Sequence, residues 1–270
     1  MPTAEPTRLR GLTLDVDASP QDLRRLAAEA MGVPLEALGV LRPVKVSLDA
    51  RGRAPRRVYT VDVWRVDDEV PDVRAPRPRR GQSMRRLVPG QAPLIVGTGP
   101  AGLWAALGCV EAGQPVVLLD RGPPVDERNH AVVGLRRRGV LDPESNLCFG
   151  EGGAGTYSDG KLYTRVKDPR VRRVYEDLVA FGAPDSLLVD AHPHVGTNLL
   201  IRLLRRLRAF LVDAGCEFRF HARVTDLLVD SDGRAGGVRL ASGEEVFGSA
   251  VVLATGHSAR GVYEMLQSHE

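Results

Sequence analysis

The sequence predicts an α/β protein in which a doubly wound domain with a parallel sheet follows a small α+β domain. Residues 1–73 show the pattern strand, helix, strand, strand, which is typical of a small α+β unit. Residues 92–270 begin with an apolar strand, a glycine-rich turn, an apolar helix and a second apolar strand. This βαβ arrangement is how a doubly wound fold starts.

The first 73 residues contain the patterns of three strands and one helix. Residues 9–16 alternate apolar and polar side chains, as a half-buried strand does. Ser19 is predicted to cap a helix that has Pro20 in its first turn. Residues 43–48 and 57–64 are predicted to be the two strands of a hairpin, because a polar segment with a glycine joins them.

Residues 74–91 are predicted to be a linker between the two domains. The segment carries several prolines, which remove backbone donors and end helices. It also carries a run of arginines, and we interpret this run as a solvated connector because charge runs usually face solvent. A patch for an anionic partner is the alternative interpretation.

The second domain continues with further helices and strands. Residues 170–181 and 197–214 have the periodicity of amphipathic helices. Residues 217–228, 237–240 and 245–253 are predicted to be strands.

The turn after the first apolar strand of the second domain matches the pattern G-x-G-x-x-G. Its residues are Gly97, Thr98, Gly99, Pro100, Ala101 and Gly102. The first glycine permits a tight turn, the second lets the backbone approach a pyrophosphate, and the third lets the helix pack closely on the strand. The helix that begins here offers unpaired N–H groups to phosphates. The pattern therefore predicts a Rossmann-like domain that binds a dinucleotide.

The second apolar strand ends in an acid, Asp120, about 20 residues after the turn. An acid at this spacing is expected to accept a hydrogen bond from a ribose hydroxyl. An enzyme that uses NADP would more often carry a basic residue here, which would accept the 2′-phosphate.

Pro100 in the turn and the pair Arg121-Gly122 after the acid resemble flavoproteins of the glutathione-reductase-like, two-dinucleotide-binding group, whose turns often read G-x-G-P-A-G. The resemblance implies that FAD binds at this turn and that Asp120 contacts the adenosine ribose. The same resemblance implies that Arg121 also binds the cofactor.

A second glycine-rich string, F-G-E-G-G-A-G-T-Y-S-D-G-K-L, begins at Phe149. We expect Gly152 and Gly153 to bring the backbone close to the cofactor, and a flexible surface loop is the alternative. Disulfide-reductase flavoproteins carry a redox cysteine pair in this stretch, whereas here Cys148 stands alone. Together with the segment 192–198, the string resembles a group of uncharacterised bacterial FAD-dependent dehydrogenases.

Two later segments also resemble cofactor-binding elements of flavoproteins. In related flavoproteins a residue at the position of Val224 offers its backbone to the adenine, and an ordinary strand is the alternative. An apolar strand that ends in A-T-G, here with Thr255 and Gly256, resembles a second element of FAD-binding folds.

No residue is predicted to be catalytic, and no metal site is predicted. His192 and His194 have the spacing of two ligands, but no third ligand is evident. His257 follows the A-T-G element and is either close to a flavin or an ordinary loop residue. A further hypothesis is that Ser158, Asp159 and Lys161 bind an anion and that the lysine stabilises a reduced flavin. It is motivated only by their place in the glycine string.

The amino-acid composition limits which functions and which cellular compartments we expect for this protein. The formal net charge of +3, from 37 basic and 34 acidic residues, argues against a nucleic-acid-binding protein. Three separated cysteines argue against a disulfide framework, so a reducing compartment is expected. The sequence shows neither a signal peptide nor a run of apolar residues long enough for a membrane span. We therefore expect a cytoplasmic protein with no membrane partner.

These observations predict an FAD-binding oxidoreductase, a dehydrogenase whose substrate and electron acceptor the sequence does not identify. An NAD(P)-binding dehydrogenase is one alternative, and a non-catalytic dinucleotide-binding or regulatory module is another. Members of the group that the chain resembles continue well beyond the A-T-G element. The chain is therefore expected to be a fragment of a longer flavoprotein, with a flavin site that is open on one side.

Overall fold

The computed structural model describes residues 4–72, 75–158, 160–162 and 164–269. These residues form two compact units. Unit 1 lies within Met1–Arg77 and Leu162–His194, and unit 2 lies within Pro78–Lys161 and Val195–Glu270. The predicted fold class, a Rossmann-like α/β domain preceded by a small α+β domain, is confirmed.

The helices and strands follow in chain order. The strands are β1 (Thr7–Asp15), β2 (Leu38–Asp49), β3 (Arg56–Arg65), β4 (Leu94–Val96), β5 (Val117–Leu119), β6 (Glu217–Arg219), β7 (Val224–Val229), β8 (Ala235–Leu240), β9 (Glu245–Phe247) and β10 (Val251–Leu253). The α-helices are α1 (Pro20–Met31), α2 (Pro100–Glu111), α3 (Val125–Arg138), α4 (Arg170–Ala180), α5 (Thr197–Asp213) and α6 (Arg260–Gln267). None of the described helices is long and apolar enough to cross a membrane.

Unit 1 is built on a three-stranded antiparallel sheet in the order β1-β3-β2, with α1 packed on one face. The helix begins as the sequence predicts. Ser19 and Asp22 form a reciprocal capping box, and proline occupies the first turn. The core of this unit holds Leu23 and Ala27 of α1 against inward side chains of the sheet such as Val61.

Unit 2 is built on a four-stranded parallel sheet in the order β10-β4-β5-β6. Helix α2 connects β4 to β5, the βαβ crossover that the sequence predicts. All residues of β4 and β5 are buried, and this explains why both strands are continuous apolar runs without alternation. Parallel strands in this order bring the ends of β10, β4, β5 and β6 to one edge of the sheet.

A second sheet in unit 2 is antiparallel, in the order β7-β8-β9. The predicted strand 217–228 is wrong as a single element, since β6 and β7 belong to different sheets. The chain bends between them at His221, whose φ of +54° is in the left-handed region. The predicted strand 245–253 also divides, into β9 and β10. Gly248 lies at this bend, where a Cβ atom would come within 2.6 Å of the Ala92 carbonyl oxygen.

The predicted linker, residues 74–91, contains no helix or strand in its described part, and Arg74 lies outside the described residues. It is not merely a solvated connector. The backbone N–H of Gly81 donates to the Val110 carbonyl at the end of α2, and Arg80 forms a 2.7 Å ion pair with Asp213. From Pro78 onward the segment therefore belongs to unit 2.

Candidate functional site

Two glycines of the turn after β4 are required by contacts within the protein. Gly97 has φ of +107°, and a Cβ atom there would lie 2.4 Å from the Ala254 carbonyl oxygen. A Cβ atom on Gly102 would lie 1.9 Å from the Gly97 carbonyl oxygen. A real Cβ fits at neither position, so these glycines let β4, α2 and the end of β10 approach one another.

Gly99 differs from Gly97 and Gly102 because no atom of the described residues requires a glycine there. Its φ of −68° and ψ of 179° suit any residue. A Cβ atom would meet only the Cα atom of Gly153, at an ordinary distance of 3.9 Å. Gly99 is the N-cap of α2, and no side chain in the described part of the protein caps this end of the helix. The space beside Gly99 thus faces a helix N-terminus, where backbone N–H groups and the helix dipole favour an anion.

Asp120 fastens this turn to the end of β5. Its buried carboxylate accepts hydrogen bonds from the backbone N–H of Thr98 at 2.8 Å and from the Thr98 hydroxyl at 2.5 Å through Oδ2. Oδ1 accepts the backbone N–H of Gly122 at 2.9 Å. Thr98 is itself fully buried. The acid therefore has a structural role in the turn, and one lone pair of Oδ1 remains available for a further donor.

The second glycine string lies directly against the first. The backbone N–H of Gly152 donates to the Thr98 carbonyl at 2.9 Å. Gly153 has φ of +74°, and a Cβ atom there would come within 2.7 Å of Pro100 Cδ. The two glycine-rich segments, more than 40 residues apart in sequence, thus form one surface around the start of α2.

A buried arginine of α3 holds the second glycine string in place. The Arg128 guanidinium donates to the carbonyl oxygens of Asn146, Glu151 and Gly153 at 2.7–3.2 Å. It also stacks on the Tyr157 ring, 5.0 Å from the ring centroid. Burial lowers the pKa of Arg128 from its usual value, while nearby groups, Tyr157 first among them, oppose that shift. A side chain with five fixed donors suits a loop whose carbonyls converge on one point.

The same string contains a fully buried acid, Glu151. Its Oε2 accepts the backbone N–H of Val125, at the start of α3, at 2.6 Å and lies 3.1 Å from Arg208. Its Oε1 has no hydrogen-bond partner among the described residues. Burial is the main cause that raises the pKa of Glu151 to about 7, and the Val125 N–H and Arg208 oppose the shift.

Arg121, directly after Asp120, is held by Glu144 and by Phe149, the first residue of the second glycine string. Its Nε donates to Glu144 at 2.7 Å, and its guanidinium lies over the Phe149 ring, 4.7 Å from the centroid. Glu144 also contacts Arg223 at 3.4 Å. The hydrogen bond from Arg121 is the main cause that lowers the pKa of Glu144.

These elements surround a cleft with a volume of about 940 Å³ at the edge of the sheet where the strands end. Most of the residues predicted to bind a cofactor line it, namely Gly97, Gly99, Pro100, Ala101, Asp120, Arg121, Gly153, Val224, Thr255 and Gly256. The other three, Thr98, Gly102 and Gly152, are packed behind the lining. Five separate segments of the sequence therefore converge on one site.

Sequence reasoning missed several residues of this site. Arg128 and the side chains of α6 that line the cleft belong to no local motif, and Glu151 lies within the glycine string but was assigned no role. Among the described residues, Ser158 and Lys161 are not part of the lining, and Asp159 lies outside the described residues. His257 does line the cleft. The described histidines, cysteines and acids form no group of three that could hold a metal ion.

Two sequence comparisons found similarity, one to a protein-family model and one to a single curated protein. A family model described as a domain of unknown function, DUF8436, matches residues 7–64, the segment from β1 to β3. The chain is also 32% identical over 271 residues to an uncharacterized protein of Clostridium beijerinckii. That alignment covers 96% of this chain and 50% of the other protein, so the chain spans about half the length of the curated relative it matches.

Several solved structures are similar to part of this chain. Thermovibrio ammonificans THI4 is 18% identical, with a TM-score of 0.45 and coverage of 66% of this chain and 62% of that one. The 3-ketosteroid-Δ4-(5α)-dehydrogenase of Rhodococcus jostii, solved with 4-androstene-3,17-dione, is 18% identical, with a TM-score of 0.41 and coverage of 66% and 48%. The GidA-related protein of Thermus thermophilus is 20% identical, with a TM-score of 0.36 and coverage of 62% and 53%.

Proposed function

We propose that this chain binds FAD and forms the dinucleotide-binding part of an FAD-dependent oxidoreductase, a dehydrogenase of the glutathione-reductase-like kind. One observation carries the proposal, the room beside Gly99 at the uncapped start of α2. In a turn where Gly97 and Gly102 are fixed by protein contacts, Gly99 is explained by a ligand that approaches its backbone. The cleft in front of it also collects Asp120 and Gly256.

The residues present fit such a cofactor. The backbone from Gly99 to Gly102, together with Gly153, would hold the pyrophosphate at the positive end of α2. Asp120 would accept a ribose hydroxyl through the lone pair of Oδ1 that Gly122 does not use. Bound FAD supplies hydride transfer at its flavin ring, and the protein binds, orients and tunes it.

The charges next to Asp120 favour FAD over NADP. Arg121 directly follows Asp120 and could accept a 2′-phosphate, but Glu144 already pairs with it at 2.7 Å. Glu144 also faces Arg223, so a phosphate at this place would have to compete with a carboxylate for both arginines. A dinucleotide without a 2′-phosphate meets no such competition.

The activity of the whole protein is part of this proposal, because the chain spans half the length of its curated relative. The residues described above do not identify the substrate or the electron acceptor. A cytoplasmic location fits the free thiols Cys109, Cys148 and Cys216.

The direct test is to identify the cofactor. The chain is purified, denatured, and the released compound identified by chromatography against FAD, FMN and NAD standards. Reconstitution with FAD is then followed by quenching of flavin fluorescence. We expect FAD to bind with saturation. A protein that binds NADH and not FAD would contradict the proposal.

Two alanine substitutions in α2 test whether the space at Gly99 is a ligand site. Gly99→Ala places a methyl group where the pyrophosphate would lie, so we expect about tenfold or greater loss of FAD affinity. The effect on stability is expected to be small, about 1 kcal/mol from the poorer N-cap. Gly108→Ala is the matched control, because its Cβ meets no atom within 4 Å and lies outside the cleft. Unchanged FAD binding by Gly99→Ala would place the pyrophosphate elsewhere.

A further inference from the structure

Helix α6 forms an outer wall of the cleft. It begins shortly after Gly256 at the end of β10, and its other end is tied to the second sheet, where His269 Nε2 lies 2.7 Å from Asp226 Oδ1 on β7. Met265 is the buried residue of the helix and anchors it. The helix therefore runs from the end of β10 to β7, alongside the edge of the sheet where the cleft lies.

One face of this helix points an apolar surface into the cleft. Val262, Tyr263 and Leu266 all line it, and their spacing of three and four residues puts them on one side of the helix. Tyr263 is 59% exposed and Leu266 is 38% exposed. Exposed aromatic and aliphatic side chains in a polar-rimmed cleft are typical of a surface that a flat ring covers.

The order of the strands indicates which part of a dinucleotide meets this wall. The glycine turn follows β4, Asp120 follows β5, and the segment that begins at Ala222 follows β6, the next strand in the sheet. A ligand with its pyrophosphate at α2 and its ribose at Asp120 directs its base toward Ala222 and Val224. Both of these residues line the cleft, and Val224 opens β7, the strand to which α6 is tied.

We infer that Tyr263 and Leu266 form the binding surface for the adenine base of the dinucleotide, which lies between α6 and the start of β7. The inference rests on the proposed dinucleotide binding and deepens it. The tyrosine ring stacks on the base, and the leucine side chain covers its edge. Because stacking recognises the ring rather than its substituents, the wall serves any ligand that carries an adenosine diphosphate group.

The test uses the purified chain with ADP, FAD and inorganic pyrophosphate as probes. Tyr263→Ala is expected to weaken ADP and FAD binding about tenfold, because a stacking surface is lost. Tyr263→Phe keeps the ring and is expected to bind within about twofold of the wild type. Pyrophosphate has no base, so its affinity is expected to be the same in all variants. This split between ADP and pyrophosphate is not produced by a general loss of folding.

Phe247→Ala is the matched control. Phe247 is a comparably exposed aromatic residue of the same unit, on β9, and it does not line the cleft. Its removal is expected to leave all three affinities unchanged.

Wild-type ADP affinity in Tyr263→Ala would overturn the inference while leaving the FAD proposal intact. A wild-type chain that binds NAD and ADP but not FAD would overturn the FAD proposal, and the ADP measurements would still decide the role of α6. A chain that binds none of the probes overturns both.

Discussion

The carboxylate of Asp120 joins two neighbouring strands of the parallel sheet. It accepts two hydrogen bonds from Thr98, after β4, and one from Gly122, after its own strand. An acid at this position is usually explained by the ribose alone. Here it also satisfies three buried donors, so its removal has a cost even when no ligand is bound.

Asp120→Asn is therefore expected to destabilise the ligand-free protein by about 1–3 kcal/mol, because one amide NH₂ then faces a buried donor. Thr98→Val is the milder comparison, since it removes the hydroxyl donor and keeps the backbone N–H. Urea unfolding of both variants without dinucleotide measures the difference. Equal stability of Asp120→Asn and the wild type would mean that the acid acts on the ligand only.

For single residues, the sequence correctly predicted why glycine is needed at positions 97 and 102. The predicted tight turn at Gly97 and close helix packing at Gly102 agree with the positive φ of the first and with the lack of room for a Cβ atom at the second. Both reasons are local, since they depend on a strand, a turn and a helix that follow each other directly. The ligand role of Gly99 stays a prediction, supported by the empty space beside it.

Among the elements, the second glycine string depends on α3 for its shape. Residues 145–153 contain no strand or α-helix, and their carbonyl oxygens converge on the guanidinium of Arg128. Because Phe149, Gly150 and Gly153 line the cleft, this one side chain also sets the shape of the cleft wall.

Arg128→Met is expected to destabilise the protein by roughly 3 kcal/mol or more, because several buried carbonyls lose their donor. Proteolysis within residues 145–153 and weaker FAD binding are expected together with this loss. Arg136→Met is the control on the same helix, since Arg136 is exposed and, among the described residues, donates to a single carbonyl, that of Tyr157. Urea unfolding and limited proteolysis measure both effects. Comparable results for the two variants would show that Arg128 has no special role.

The sequence did not predict α3 or α6, and the reason lies in their side chains. Val125–Arg138 ends in three arginines and has a buried arginine on its inner face, so it lacks a clear apolar stripe. Arg260–Gln267 has eight residues, of which Met265 alone is buried. Their roles depend on contacts with segments 18 to 43 residues away, and no local pattern records such contacts.

At the scale of the whole molecule, the chain does not divide at a single linker. The sequence prediction assigned residues 92–270 to one domain, whereas Leu162–His194 groups with the first unit. Backbone hydrogen bonds show how this segment joins, because Val46 on β2 donates to Val189 and accepts from Ala191, both at 2.8 Å. Prolines and glycines mark where an element ends, but they do not indicate which sheet a later segment returns to.

The buried charge of Glu151 affects the stability of the whole protein. Charged groups face it from several elements, with Arg128 and Asp126 on α3, Arg208 on α5 and Asp120 after β5. Its pKa is raised from 4.5 to about 7, so the folded state binds a proton more tightly than the unfolded state does. Proton binding at Glu151 therefore stabilises the folded state. This stabilisation is fully present below the unfolded pKa and is lost as the pH rises through about 7.

Glu151→Gln imitates the protonated acid and keeps an oxygen for the Val125 N–H. The wild type is therefore expected to lose roughly 3 kcal/mol of stability relative to this variant between about pH 4 and pH 8, at 1.36 kcal/mol for each pKa unit. Glu144→Gln is the control with the opposite sign, because the pKa of Glu144 is lowered and its contribution is lost only in more acidic solution. Urea unfolding at three pH values gives both differences. If the Glu151 difference stayed constant with pH, this acid would be ionised throughout, with Arg208 outweighing the cost of burial.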